Sequence, residues 1–384
     1  MAELHIALCT DGIFPEVTGG MQRHSRLLAE HMATIPGVRL TVFHPHATGL
    51  FDPALGIREV HVPDIDGRKL YLGELWAYSG RMAAALQAEM DQPGGPRAIL
   101  SQGFSIWKDI TRFSNQLMVH PHGLEMFQGL TRKERWMGWP FRRLVRHVAR
   151  NSARVVSLGG KLTPILEQVV KGTATQVVEL PNAVEVPPHA PPYPADEGPL
   201  QLLFVGRFAF NKGIDLLMGV ADRLQGGNLG DAVQFNLAGT GPLFETYRSA
   251  GVPANVRLLG RVEDDELVRL YQACHGFVLP TRFEGMPTVV LEAMAHARPV
   301  LVSDVGAAAG LVAPGESGYL LPPGNAEALY QGVRRLADTS PGQRSRMGAA
   351  GYRMAKEQFA WPVVARRHVE ALKDMHPSAH LGVS

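Results

Sequence analysis

Cysteine is scarce in this 384-residue sequence: only Cys9 and Cys274 are present. They lie far apart and lack metal-ligand spacing, which argues against a disulfide scaffold or a zinc site. No stretch reaches the roughly 18 apolar residues that cross a bilayer, so no membrane span is expected. The opening "MAELHIALCTDG" has a short apolar run with no basic residues before it and a glycine-bearing loop after it, unlike a secretory signal. A strong charge of one sign is also lacking. The formal net charge of +2 gives no global reason to bind nucleic acid. Low-complexity tails and short repeats are missing. These absences lead to the expectation of a cytoplasmic protein, with peripheral contact to the inner face of a membrane as its one membrane role.

Hydrophobic residues make up 45% of the chain, ordinary for a soluble globular protein. The length exceeds the roughly 250–300 residues at which a single core stops growing, so two domains are expected. Short apolar runs at 4–10, 38–45, 98–103, 116–123 and 154–160 read as buried strands, and 21–35 as a helix. The pattern restarts at 200–208, with further strands at 233–239, 256–260, 276–280 and 299–304 and helices at 212–224 and 264–273. Buried runs alternating with helices imply parallel strands covered on both faces. Between the two series, "LPNAVEVPPHAPPYPADEGPL" (180–200) has seven prolines and no helical period, which suits a stiff, extended connection. The expectation is two Rossmann-like, doubly wound α/β domains facing a central cleft, over 1–183 and 184–361. A C-terminal helix of about 362–384 is expected to pack back on the first.

Four stretches carry chemistry. In "GGMQRHSRLL" (19–28), Gly19 and Gly20 stand just before a helix, where a ligand can approach the backbone and free amides favour an anion. The plainer reading is a flexible strand-to-helix turn. The string is not GxGxxG, which disfavours a conventional dinucleotide site. In "FVGRFAFNKGID" (204–215), Arg207 leaves a strand end and Lys212 follows at a helix start. Two cations at one loop suit a pyrophosphate, each charged hydrogen bond contributing roughly 1.5–3 kcal/mol; alternatively both are solvated. "LAGTGPLFE" (237–245) places Gly239 in a second glycine loop at a second strand end, or in an ordinary tight turn.

The fourth stretch is "PTRFEGMPTVVLEAMAHARPVLVSD" (280–304). Pro287 fits the first turn of a helix, where its missing N–H is no loss. Glu284 then lies in the loop and Glu292 about a turn and a half inside an apolar helix, where an idle charge is costly. The backbone from Gly285 through Met286 and Pro287 to Thr288 forms an anion-facing helix start. A carboxylate accepts two hydrogen bonds, which suits vicinal sugar hydroxyls. Eight mostly helical residues span about 12 Å, beyond the ~5–9.5 Å of a glycosidase carboxyl pair. The spacing fits two ends of one ligand.

Together these residues resemble the retaining GT-B-fold glycosyltransferases, in particular the large family 4 (glycosyl transferases group 1), over nearly the whole chain. The most specific part is the E-x7-E element "EGMPTVVLE" with "AMAHARPVLVSDVG" after it. The resemblance implies that Glu284 contacts the donor sugar, Glu292 the ribose hydroxyls, and Arg207 and Lys212 the diphosphate. Backbone amides of 285–288 would serve sugar and phosphate, and Arg261 and Val262 would line the base. "HPHGLE" (120–125) implies that His122, with His120 as fallback, reaches beside the donor sugar. The chain departs from the family at Thr240, at Ala183 of "NAVE", and in "VGAAAGLV" (305–312), which lacks a frequent glutamate.

The implied reaction is metal-independent. It moves a sugar, with retention, from a nucleotide diphosphate sugar (a UDP-sugar favoured) to an acceptor hydroxyl, in cell-envelope glycan, lipopolysaccharide or glycolipid synthesis. No permanently bound cofactor is expected. Rivals are a GT-B-fold epimerase and a non-catalytic sugar-nucleotide-binding protein. A metal-dependent transferase would need a DxD element; "PDIDG" (63–67) matches that string but reads as a turn. Residues 131–150 hold seven Arg/Lys against one Glu, with Trp136, Trp139 and Phe141. That composition suits an interfacial segment on anionic lipid, or a connecting helix with a solvated basic face.

Overall fold

The computed structural model describes residues 4–17, 19–63, 72–129, 132–195, 197–227 and 229–375. The Asp-x-Asp string and residues 376–384 of the expected C-terminal helix lie outside them. The chain divides into two compact units, one of residues 1–182 with 361–384, the other of 183–360.

The first unit is built on seven parallel strands among the described residues: β1 (Leu4–Cys9), β2 (Val38–His44), β3 (Arg58–His61), β4 (Ala98–Gln102), β5 (Leu117–His120), β6 (Arg154–Ser157) and β7 (Gln176–Glu179). Their order is β3-β2-β1-β4-β5-β6-β7. Helices α1 (Gly20–Ala33), α2 (Leu72–Met90), α3 (Arg132–Met137), α4 (Trp139–Arg150) and α5 (Thr163–Val170) connect them. The central strands β4 and β5 are buried at every position. Each opens with an apolar run, at 98–100 and 117–119, as a strand covered by helices on both faces does. Ala7, Phe43, Met82, Ile99, Phe113, Val119 and Val148 share one core cluster. Burying side chains such as Phe or Leu there contributes roughly 1.5–3 kcal/mol each.

The second unit restarts the pattern with β8 (Leu200–Val205), β9 (Val233–Ala238), β10 (Val256–Gly260), β11 (Gly276–Leu279), β12 (Val300–Ser303) and β13 (Gly318–Leu321). They form a parallel sheet in the order β10-β9-β8-β11-β12-β13. Helices α6 (Ile214–Gln225), α7 (Phe244–Ala250), α8 (Asp264–Ala273), α9 (Thr288–Ala295), α10 (Ala326–Asp338) and α11 (Pro341–Met354) flank it. After a π-helical turn at Ala355–Phe359, α12 (Trp361–Lys373) belongs to the first unit, and its Trp361 and His368 rings lie near His24 of α1.

The strands the sequence pattern does not expose are β3, β7 and β13, each at a sheet edge. β3 and β7 are four residues long with exposed ends and half-buried centres. An edge strand buries only part of its surface, so it carries no continuous apolar run. Boundaries also differ from expectation. β5 stops at His120, because the chain turns into the left-handed region at His122 (φ 59°). Helix α6 starts after Lys212, not at it, because Gly213 (φ 72°) breaks the backbone between a 3-10 turn and the helix. Pro287 is the N-cap of α9, one position ahead of the first helical turn.

The proline-rich stretch is extended, and it is pinned to the second unit. Tyr352 Oη donates to Pro187 O (2.7 Å), Lys356 Nζ to Pro188 O (3.0 Å) and Arg298 Nη2 to Pro192 O (2.8 Å). Prolines leave carbonyls but no N–H groups, so side-chain donors must satisfy them.

Candidate active site

In a parallel sheet every strand delivers its following loop to the same edge. In the second unit the loops after β10, β9, β8 and β11, four neighbouring strands, carry Arg261 and Val262, Gly239, Arg207 with Lys212, and Glu284 respectively. Ligands of open α/β sheets bind at this carboxyl edge. The expected residues of this unit therefore gather at one edge although they are spread over 86 positions, from Arg207 to Glu292 (292 − 207 + 1).

Two loops are laced together there. Lys212 Nζ forms a close ion pair with Glu284 Oε1, and Thr281 Oγ1 lies 3.3 Å from the same oxygen. Arg282 donates its backbone N–H to Asn211 O (2.7 Å) and its guanidinium to both oxygens of Asp215 (2.7 Å each). The same guanidinium lies 3.8 Å from the ring of Phe210, which is 55% exposed. Glycine is required where the loops touch. A Cβ on Gly213 would sit 2.1 Å from Pro280 O, and one on Gly239 (φ 130°) would sit 1.9 Å from Gly206 O. Gly239 thus has a packing reason to be glycine, apart from any ligand. Sequence reasoning did not single out Thr281, Arg282 or Asp215; they sit beside the expected cations, and only the fold brings the two loops together.

The second carboxylate lies on α9. Val290, Leu291, Ala293, Met294 and Ala295 of that helix are buried, while Glu292 is half-buried. Its Oε2 accepts from Tyr271 Oη at 2.8 Å. Gly285, Met286 and Pro287 are buried and Thr288 is exposed at the helix start. Ala307 N–H donates to Gly285 O (2.9 Å), so the 305–308 loop backs this turn. Arg207 is exposed at the same edge, as is Arg261, with Val262 half-buried. Of the expected residues, Lys212 and Glu284 touch; Arg261 and Val262 leave an outer strand of the sheet.

In the first unit, Gly19 is the N-cap of α1 and Gly20 its first residue, one place further into the helix than expected. Nothing lies within 4 Å of where a Gly20 Cβ would be. One turn on, His24 packs its ring 5.1 Å from that of His122. So the two expected features of this unit, the glycine-led helix start and the His122 strand end, come together through a residue not singled out. His122 Nε2 lies 2.5 Å from Gln102 Oε1 and therefore donates to it. Its ring stacks on His120 at 4.0 Å. Burial pushes the His122 imidazole down to about 3, helped by the charge His368 would carry, so the ring is neutral at ordinary pH.

Among the described residues, His24, His120 and His368 form the one group with metal-ligand spacing, their nitrogens within 4.8 Å of one another. All three Nε2 atoms are buried without a hydrogen-bond partner. The hydrogen bonds at Nδ1 decide what the group can hold. His368 Nδ1 faces Val364 O (2.9 Å), so it carries the proton and leaves a lone pair on Nε2. His120 Nδ1 accepts the His122 N–H (3.1 Å), so the proton sits on Nε2. A dication needs a lone pair from every ligand. This mixed donor set does not fit one.

Comparison with known proteins places the molecule. Over 97% of its length the chain superposes on 99% of sucrose-phosphate synthase from Thermosynechococcus elongatus, with a TM-score of 0.77 at 21% identity. HepE of Anabaena, solved in complex with UDP-glucose, gives a TM-score of 0.66 at 17% identity, covering 97% of this chain and 100% of that one. Likeness at such identities establishes the fold, which is GT-B. Residues 199–339, within the second unit, match the family model described as glycosyl transferases group 1. Glycogen synthase of Mycobacterium tuberculosis is 30% identical over 172 residues, 44% of this chain and 41% of that protein. The chain thus spans about two fifths of the length of the curated relatives it matches.

Proposed function

We propose that the protein is a retaining glycosyltransferase of the family 4 type that moves a sugar from a nucleotide diphosphate sugar, a UDP-sugar by preference, to an acceptor hydroxyl without a metal ion. The observation that carries this reading is the Lys212–Glu284 ion pair at the carboxyl edge of the second sheet. Glu292 lies eight positions beyond Glu284, with the α9 helix start between them. Lys212 and Arg207 supply positive charge for a departing diphosphate, and the amides at the start of α9 add partial charge of the same sign. Such fixed donors stabilise charge that grows in the transition state, where they lower the barrier most. Glu284 reaches the donor sugar from beside Lys212, and Glu292 grips the ribose. The amides of 285–288 serve sugar and phosphate, and Arg261 and Val262 line the base. In the first unit, Gly19, Gly20 and His122 are the residues this reading assigns to the reaction. The UDP and UDP-glucose complexes of HepE support the choice of donor, and the names glycogen synthase and D-rhamnosyltransferase among the relatives support hexosyl transfer into glycans.

The acceptor is placed in cell-envelope glycan, lipopolysaccharide or glycolipid synthesis, with the chain cytoplasmic and peripheral to the membrane's inner face. One surface supports this. At α3 and α4, Trp136 (78% exposed), Met137, Trp139 and Phe141 are all exposed among basic residues. The Arg143 guanidinium lies 4.1 Å from the Trp139 ring. Aromatic rings amid cations suit the headgroup layer of an anionic bilayer. No helix among the described residues is long and apolar enough to cross a membrane.

The test is turnover. Incubating the protein with UDP-sugars and a panel of lipid-linked and glycan acceptors, with chelator present, should release UDP and form a product of unchanged anomeric configuration by NMR. Inverted product, or an absolute need for a divalent ion, would contradict the mechanism. An altered free sugar formed without acceptor would favour an epimerase.

A further inference from the structure

Helix α8 is exposed along nearly all its length and buries one residue, Tyr271. That residue is 1% exposed, yet its phenol oxygen meets a carboxylate: Oη lies 2.8 Å from Glu292 Oε2 and 3.2 Å from Val289 O. A phenol has one proton to give, and the nearer, charged acceptor holds it. The ring has little freedom. His296 stacks against it at 5.2 Å with planes 14° apart, and Phe277 packs at 6.0 Å. His296 is itself fixed by Nδ1 donating to Glu292 O at 2.8 Å. Arg298, wholly buried, donates Nε to Tyr271 O (2.8 Å) and Nη2 to Gln272 O (2.9 Å), capping the end of α8. A stiff support therefore ends at one oxygen of a flexible side chain.

We infer that Tyr271 is a positioning residue that sets the Glu292 carboxylate for a ribose diol, so that the site selects ribonucleotides over deoxyribonucleotides. This rests on the proposed nucleotide-sugar reading and deepens it. A glutamate side chain loses rotamer freedom when it binds, and a group already held gives up less. Two vicinal hydroxyls must meet the carboxylate together, so its orientation matters more for the diol than for a ligand that lacks it. A carboxylate without the Tyr271 bond still attracts a single hydroxyl but loses discrimination, because the diol's advantage comes from both bonds forming in one geometry. Tyr271 touches no ligand in this scheme; it acts through Glu292 alone.

The experiment measures, by calorimetry, the binding of UDP, GDP and ADP to the full chain, and takes the tightest forward with its 2′,3′-dideoxy counterpart. The wild type should prefer the ribonucleotide by at least about tenfold, the scale of one charge-assisted hydrogen bond. Tyr271→Phe keeps the ring and its stacking. It should weaken the ribonucleotide about tenfold, leave the dideoxy form within about twofold, and so bring the ratio near one. In a Glu292→Gln background the same change should have little further effect. Equal weakening of both ligands would mark Tyr271 as merely structural and overturn the inference, as would an unchanged ratio. A wild type that binds none of the three diphosphates defeats the nucleotide-sugar reading itself, whereas tight binding with an unchanged ratio defeats only the role of Tyr271.

Discussion

The two units share a parallel sheet with flanking helices, yet their candidate functional residues are assembled in opposite ways. In the second unit the charges follow strand ends and pair between two connections: Lys212 with Glu284, and Arg282 with Asp215 in the first turn of α6. In the first unit the polar cluster is buried and neutral. His24, His120 and His368 come from α1, β5 and α12, three elements far apart in the chain, and burial lowers the proton affinity of each. A strand-end loop can place a charge at a solvated edge at little cost. A group inside a core must shed its charge or find a partner. The second unit thus gathers charge at a sheet edge, and the first keeps uncharged imidazoles inside its core.

Breaking the charged half should have the largest effect. Lys212→Ala should lower turnover by at least about a hundredfold, the scale of losing one preorganised donor to transition-state charge. The urea midpoint should move little, because the side chain is partly exposed. Unchanged turnover would sink the assignment. Gly213→Ala should come next, acting through structure. With φ at 72° and Pro280 O only 2.1 Å from the new Cβ, the fold should lose about 3 kcal/mol; a loss under about 1 kcal/mol would show that the two loops can part freely. Arg282→Ala should cost roughly tenfold in kcat, because it releases the loop that carries Glu284 from Asp215, which follows Lys212 at the start of α6. A change in KM alone would place Arg282 in uniform binding instead.

The first unit sharpens the comparison from the other side. Trp136→Ala with Trp139→Ala should weaken binding to vesicles containing anionic lipid several-fold, and that binding should fall as salt rises. Salt-insensitive binding would contradict the basic-aromatic reading. The smallest effect is expected from metal: added Zn²⁺ or chelator should shift the wild-type melting midpoint by less than about 1 °C, because His120 Nε2 carries a proton where a ligand needs a lone pair. A Zn²⁺ stabilisation lost in His368→Ala would overturn the tautomer argument.

The same contrast explains what the sequence made legible. Buried strands such as β1, β4, β8 and β11 announce themselves as apolar runs, and the E-x7-E spacing fixes Glu284 before a helix start and Glu292 within it. Edge strands β3 and β7 do not, since half their residues face solvent. Arg207, Lys212, Glu284 and Glu292 lie within contiguous stretches whose spacing has chemical meaning. Tyr271 does not: in "DDELVRLYQA" it looks like any aromatic on an amphipathic helix, and only the fold shows that it alone is buried there and ends on a carboxylate. His24 reads as a helix residue after two glycines. Its ring meets His120 and His122 where β5 ends, and its contact with His368 depends on α12 joining a unit whose other residues end at 182.

The central claim is that the second unit's sheet edge holds a nucleoside diphosphate between Lys212 and Glu292. The most direct measurement is a thermal-shift series with UDP, GDP, ADP and TDP, without metal and then with magnesium, on the wild type and Glu292→Ala. A ligand at about a hundred times its dissociation constant adds roughly 2.7 kcal/mol, a shift of several degrees. The account predicts that one nucleotide raises the wild-type midpoint by that much without metal, and that the shift disappears in Glu292→Ala. No shift with any of the four, or an equal shift in the variant, would contradict it.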